Sequence, residues 1–330
     1  MGSLLDNSLQ IISNTTGKSL FVRLWPLSTA PKGIVYIVHE LGGHCLLYDV
    51  IAARFLEAGY TVASHDQYGH GLSSGTRLHT SNYQTYVADT LQCLEEVKCQ
   101  YQDTDNVLLF GHGVGGLLAA LLAAQNPGFV KGLILHGPIF KFLEEHASTV
   151  NVCWYLSYVL PLAYSPVNGT DPALLITDKD QRMKYARDPF IWHEGPRLST
   201  IHAVTTAMGD LEQVEEPLSC PTLIQCGQDD QLLNKTNLTA WSKRCSKTTK
   251  LLFYEGAKHY LHMDTPECTI KVLDEMVKFC DVVRSEAASD TDDAVGSEAA
   301  SDTDDAVGSE AASDTDDAVG SEAGSDTADD

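Results

Sequence analysis

An α/β fold built on a doubly wound, mostly parallel sheet is predicted by three features of the chain. Short apolar runs alternate with helix-patterned segments from Gly33 to Pro138. That rhythm stops for some 75 residues, 139–216, which carry helix-like pieces but no strand signal. It then resumes for one more round and closes on a helical segment. Alternation of this kind places helices on both faces of a parallel sheet. An insertion ahead of the last strands reads as a helical cap over the strands' carboxyl ends, where such folds bind ligands.

The elements follow in order. Ser8 to Leu27 alternates around Asn14-Thr15-Thr16-Gly17-Lys18 and reads as a hairpin. Gly33-IVYIVHE is a continuous apolar run of the kind buried in a parallel sheet. Leu46 to Ala58 has helical periodicity and stops at Gly59. Thr61-VASHD is a strand, and Gln67-YGHGLS a glycine-rich loop. Tyr83 to Val97 is a helix with Tyr83, Tyr86, Val87, Leu91, Leu94 and Val97 on one side. Asn106-VLLFG is a strand ending in a tight turn, Gly111-His112-Gly113-Val114-Gly115-Gly116, with a small-residue helix through Ala124. Val130-KGLILHGP follows as a strand. After the insertion come Pro221-TLIQCGQDD, a helix near Asn237 to Cys245, a strand Lys250-LLFYEG, and a helix from Pro266 to Val283. The parts predicted are a core over 1–138 and 217–284, a cap over 139–216, and a tail over 285–330.

The tail is compositionally distinct. SEAASDTDDAVG occurs three times, at 285–296, 297–308 and 309–320, and SEAGSDTADD ends the chain. It holds 16 of the 45 acidic residues and none of the 22 basic ones, so the rest has 29 acidic against 22 basic. Without large apolar residues it cannot offset its ordering entropy, which predicts disorder. A solubilising spacer, or a segment for a basic partner, fits that charge; a nucleic-acid partner does not.

The nine cysteines are scattered with no CxxC pair, which predicts reduced core thiols. MGSLLDNSLQ lacks a basic flank and a long apolar stretch, so no secretory signal is predicted. Asp6 argues against myristoylation at Gly2. Sequons start at Asn14, Asn168, Asn234 and Asn237. No apolar stretch reaches the roughly 18 residues of a membrane span. The expected location is cytoplasmic, with transient contact at a membrane surface. Val150-NVCWYLSYVLPLAY, apolar nearly all round, would be either a helix buried between cap and core or one offered to a bilayer.

The residues at the strand ends carry the chemistry. A strand–turn–helix elbow in a large class of hydrolases reads G-x-S-x-G, with the nucleophile at its centre. Here that centre is Gly113. Asp229 and Asp230 end a later strand, and His259 follows the last one. Elbow, Asp, His is the chain order of the α/β-hydrolase triad. His39-Glu40-Leu41-Gly42-Gly43-His44 leaves the first parallel strand, where that fold builds half of its oxyanion hole.

From about Lys18 to Phe279 the chain resembles the monoacylglycerol lipases, serine hydrolases grouped with lysophospholipases. His39-ELGGH resembles H-G-x-G-x-H, and His65-DQYGHGLSSG resembles H-D-x-x-G-H-G-x-S-x-G. Phe110-GHGVGG resembles G-H-S-M-G-G, and Tyr254-EGAKHYLH resembles Y-x-G-x-x-H. Cys226-GQDDQL and Asp188-Pro189 also fit. The resemblance implies an α/β-hydrolase fold, Asp230 and His259 as triad acid and base, and the N–H groups of Leu41 and Val114 as oxyanion donors. It also implies an acyl-chain lipid or ester ligand, with no metal and no cofactor. Two residues depart from it: Gly113 stands where the family has its serine, and Glu40 where the first motif has glycine.

Loss of one hydroxymethyl group is expected to leave the pocket intact, with room for a water at the elbow. His112, Cys45 and Ser64 are poorly placed to substitute as nucleophile, whereas a water activated by His259 is chemically open. Three readings follow: a homologue that binds without efficient turnover, an enzyme working without the serine or with its serine replaced by engineering, and an interaction protein.

Overall fold

The computed structural model describes residues 7–101, 104–166, 171–215, 218–245 and 248–301. The Gly2 and Asn168 readings, and the repeats beyond Ser301, lie outside them. The strands are β1 (Ser8–Ile12), β2 (Ser19–Trp25), β3 (Ile34–Val38), β4 (Thr61–His65), β5 (Val107–His112), β6 (Gly132–His136), β7 (Thr222–Gly227) and β8 (Lys250–Tyr254). They form one sheet in the order β1-β2-β4-β3-β5-β6-β7-β8. β1 and β2 pair antiparallel, as do β2 and β4, and every later pair is parallel.

The apolar runs alternate between two cores, as a period of two requires. Ile34, Tyr36 and Val38 face one core, and Val35 and Ile37 the other. The first core lies under α2 (Gln84–Lys98), α3 (Val114–Gln125), α7 (Leu198–Glu212) and α8 (Lys235–Ser242). The second lies under α1 (Asp49–Glu57) and α9 (Pro266–Ser301). This is the doubly wound α/β-hydrolase architecture.

Helix α3 is apolar all round, and ten of its twelve residues are buried. A helix of that kind needs partners on every side. Gly115 lets it approach β3: a Cβ there would stand 2.4 Å from the Val38 and His39 carbonyl oxygens. The elbow is therefore pressed directly against the loop that leaves β3.

Between β6 and β7 lie α4 (Ala147–Leu156), α5 (Pro172–Leu175), α6 (Lys179–Arg187) and α7. Asp178 caps α6 by accepting from the N–H groups of Asp180 and Gln181. The apolar segment 150–164 is helical only to Leu156, after which turns lead to Pro161. Proline has no N–H to extend a helix and disfavours helical geometry in the residue before it. The helix predicted from Leu46 is a 3₁₀ turn, Cys45–Tyr48, followed by α1. α9 continues past Val283 to Ser301, so the first repeat, predicted disordered, is helical in its backbone. Extending a formed helix needs no new nucleus, and no proline interrupts it. The chain divides into two units, Met1–Ala287 and Ala288–Asp330.

Two glycines test the packing with opposite signs. Gly115→Ala should cost about 1–3 kcal/mol through overpacking. Gly209→Ala, in α7 with open space at its Cβ position, should gain about 0.5–1 kcal/mol from helix propensity. Urea midpoints moving in the same direction for both would contradict the α3–β3 packing.

Candidate active site

The elbow is fixed by its backbone. Gly113 N–H donates to the His136 carbonyl at 3.0 Å, and the Gly113 carbonyl accepts from Gly116 and Ile139. Its φ is +55° and ψ −118°, a conformation glycine adopts without steric cost. β5 and β6 are in register to their ends, with His112 opposite His136. β7 delivers Asp230 just beyond Gly227, and the turn after β8 delivers His259. Parallel pairing thus converges Gly113, Asp230 and His259 at the carboxyl edge of the sheet.

The Asp230 carboxylate and the His259 Nδ1 are 2.7 Å apart, both side chains fully buried. The other Asp230 oxygen accepts from Leu232 N–H at 2.8 Å. This is the orientation an acid–base pair requires, with the Nε2 edge turned toward the elbow.

What faces that edge is Glu40. One carboxylate oxygen, Oε1, accepts from Leu41 N–H at 2.6 Å. The other, Oε2, accepts from Val114 N–H at 3.0 Å and stands 3.3 Å from His259 Nε2. Both predicted oxyanion donors are thus taken by a side chain of the protein itself. A Cβ on Gly113 would lie 1.1 Å from Glu40 Oε2 and 2.3 Å from its carboxyl carbon. The room expected for a water at the elbow is therefore filled by the carboxylate. The two departures from the family pattern are one exchange: Glu40 enters the volume that a serine at 113 would occupy.

Glu40 is held from behind as well. Its N–H donates to the Tyr48 hydroxyl at 3.0 Å, and its carbonyl accepts from Gly43 N–H. The Tyr48 hydroxyl also lies 2.9 Å from His112 Nδ1. The other motif residues are scaffolding. Asp66 accepts from the N–H groups of Cys45 and Leu72, bracing the loop after β4. Asp188 reaches His44 Nε2 at 3.1 Å, tying the insertion to the β3 loop.

The electrostatics follow from this packing. Burial pulls the His259 imidazole down, but the charge and hydrogen bond of Asp230, then those of Glu40, outweigh it and hold the group at about 10. The two carboxylates thus favour the imidazolium form of His259, which has no lone pair with which to activate water. Its neighbours are neutral: burial first, and then nearby imidazoles, push His112 and His136 well below the ordinary range. Burial and His259 lower His262 to about 3. One charged imidazole thus sits among three neutral ones, His112 stacked on it with ring centroids 4.8 Å apart.

The excluded nucleophiles have structural roles. The Ser64 hydroxyl donates to the Ile37 carbonyl inside the sheet. Cys45 is buried, which raises its thiol well above the ordinary value. His112 is occupied by Tyr48 and His259. Glu40 and His259 also line a largely apolar cavity, together with Leu41, Leu78, Val114, Ile139, Ile201 and Leu232.

Fold and site together define an α/β-hydrolase with glycine, Gly113, at the turn between β5 and α3. The sequence matches the family described as "Serine aminopeptidase, S33" over residues 29–266. It is 34% identical to the monoglyceride lipase of Rattus norvegicus over 268 residues, 80% of this chain and 87% of that one. It is 32% identical to the monoglyceride lipase of Homo sapiens over 280 residues, 83% and 90% of the two chains. A soluble variant of monoglyceride lipase from Saccharomyces cerevisiae, solved with a substrate analogue, superposes with a TM-score of 0.74 at 20% identity, covering 84% of this chain and 95% of that one. The chain belongs to the serine aminopeptidase S33 family, on the monoglyceride lipase branch of the α/β-hydrolases.

The raised pKa of His259 has a signed consequence. A group near 6.5 when unfolded and near 10 when folded stabilises fully below about 6.5, and that stability is lost as pH rises toward 10. The thermal midpoint should therefore fall across pH 7–10, and the slope should shrink in His259→Gln. Equal slopes in both proteins would contradict the buried ion pair.

Proposed function

We propose that this protein is a lipase homologue that holds acylglycerol- or lysolipid-type esters and is catalytically impaired. The observation that carries the reading is the Glu40 carboxylate accepting from both Leu41 and Val114 N–H groups in the space of the missing serine side chain. Ester hydrolysis through this fold needs a nucleophile, an unprotonated base and two free donors for the oxyanion. Gly113 removes the first, the His259 imidazolium the second, and Glu40 the third. Triads stripped of the nucleophile lose on the order of 10⁶ in turnover. The cavity beside Glu40 and His259 is lined mainly by apolar side chains, as an acyl chain requires.

A route for such ligands is offered by the insertion. Tyr155, Tyr158 and Val159 are 69, 66 and 74% exposed, and Val152, Leu156, Leu160 and Leu162 are exposed beside them in sequence. The segment predicted either buried or membrane-facing therefore keeps Val150, Cys153 and Ser157 inside, leaves Trp154 and Ala163 half-buried, and turns its other apolar residues outward. Exposed apolar and aromatic residues of this kind insert at a lipid interface. No helix among the described residues is long and apolar enough to cross a membrane, so the proposed contact is peripheral.

Fluorophosphonate labelling tests the impairment. The native chain should take up no probe, because the elbow carries Gly113 and the His259 Nε2 edge faces Glu40. Gly113→Ser alone must displace Glu40 and should gain little. Gly113→Ser with Glu40→Gly should label and should hydrolyse p-nitrophenyl esters on the order of 10³-fold or more above the native chain, since a triad acts as a unit. Stoichiometric labelling of the native chain would overturn the reading. For the membrane route, Tyr158→Asp with Val159→Asp should weaken co-sedimentation with neutral phosphatidylcholine vesicles several-fold without changing the thermal midpoint.

A further inference from the structure

Glu40 lines the cavity and sets its preference against anions, and we infer that the ligand is a single-chain amphiphile whose head donates hydrogen bonds and bears no negative charge. Hydroxyl-, amide- and amine-headed lipids belong to this class, and free fatty acids do not. The inference rests on the ligand-holding reading above and adds the chemistry of the head.

The argument starts from the charges. Glu40 and Asp230 flank His259 at 3.3 and 2.7 Å, so two acidic side chains face a single imidazole in the buried cluster. Among the described residues, no lysine or arginine lines the cavity. His146, the other titratable cation there, lies toward solvent, 46% exposed and 3.7 Å from Glu145. A carboxylate head entering beside Glu40 would meet it with no free cation among the described lining residues, in surroundings where charge is poorly screened.

The hydrogen-bond inventory points the same way. The two backbone N–H groups that would hold a carbonyl or carboxylate oxygen already donate to Glu40. A carboxylate has about four lone-pair directions, and Glu40 receives Leu41 N–H, Val114 N–H and the His259 Nε2 proton. Acceptor capacity remains, and a head group with O–H or N–H protons satisfies it. Gly113 and Glu40 have together turned an anion-stabilising hole into an acceptor.

The test compares ligands of one chain length below their micellar concentrations: 1-O-dodecylglycerol, dodecylamine and laurate. Binding to the full chain is measured by calorimetry at physiological salt, for the native protein and for Glu40→Gly. The acidic tail is common to both, so the change on substitution is what is read. In the native chain the glycerol ether and the amine should each bind at least tenfold tighter than laurate. In Glu40→Gly the freed N–H groups and the imidazolium should reverse the order, laurate gaining tenfold or more and dodecylamine losing. Should Glu40→Gly fail to fold, Glu40→Gln removes the charge at nearly the same volume, and the laurate penalty should shrink. If all three ligands bind the native chain alike, the ligand-holding reading stands and this inference falls. If laurate binds tightest, or if the ratios are unchanged by substitution at 40, the inference falls as well. If none of the three binds, both readings fall.

Discussion

The carboxylate of Glu40 bridges three donors that come from three parts of the chain: Leu41 N–H beside it, Val114 N–H at the start of α3, and His259 after β8. The rest of the site depends on this bridge. It adds to Asp230 in favouring the charged form of His259, fills the hole between the β3 loop and the elbow, and excludes any side chain at 113. Hydrogen bonds to a charged acceptor are the stronger kind, about 1.5–3 kcal/mol each. Removing the carboxylate leaves two buried N–H groups and an imidazolium to find other partners.

The bridge explains why the two unusual residues belong together. A glycine at 113 with a glycine at 40 would leave a void lined with donors, which needs a water or an anion. A serine at 113 with Glu40 would place Cβ inside the carboxylate. Only the pair as found fills the volume and satisfies the donors. Buried ion pairs often cost more in desolvation than they return. Here two carboxylates share one imidazolium, and each accepts a backbone N–H as well, the condition under which such a cluster is held.

Much of the fold was legible because its signals are local. A short, continuously apolar, β-branched run such as Ile34–Val38 reads as a strand buried in a sheet. The elbow is announced by Gly111, Gly113, Gly115 and Gly116 between a strand and an apolar helix. Asp230 and His259 were placed by chain order at strand ends, and the sheet register brings them together. The position of Glu40 was not legible, because it depends on a side-chain torsion and on the emptiness of a glycine 73 positions away. Two departures falling in the two halves of one hole were the available signal. The extent of the helix at 150 was misread because apolar composition says nothing about direction. Pro161 ends the helical geometry early, and the apolar residues that follow lie on the surface.

A single spectroscopic measurement reaches the centre of this account. In a chain labelled with ¹⁵N-histidine, and assigned through His259→Gln, the two ring nitrogens of residue 259 report directly on their protons. The bridge predicts that both stay protonated from pH 6 to pH 9, while His112, His136 and His262 stay neutral over the same range. In Glu40→Gly the His259 titration should move down toward neutrality. A native His259 that titrates near pH 6.5, with a neutral Nε2 at pH 8, would mean that Glu40 does not occupy the hole.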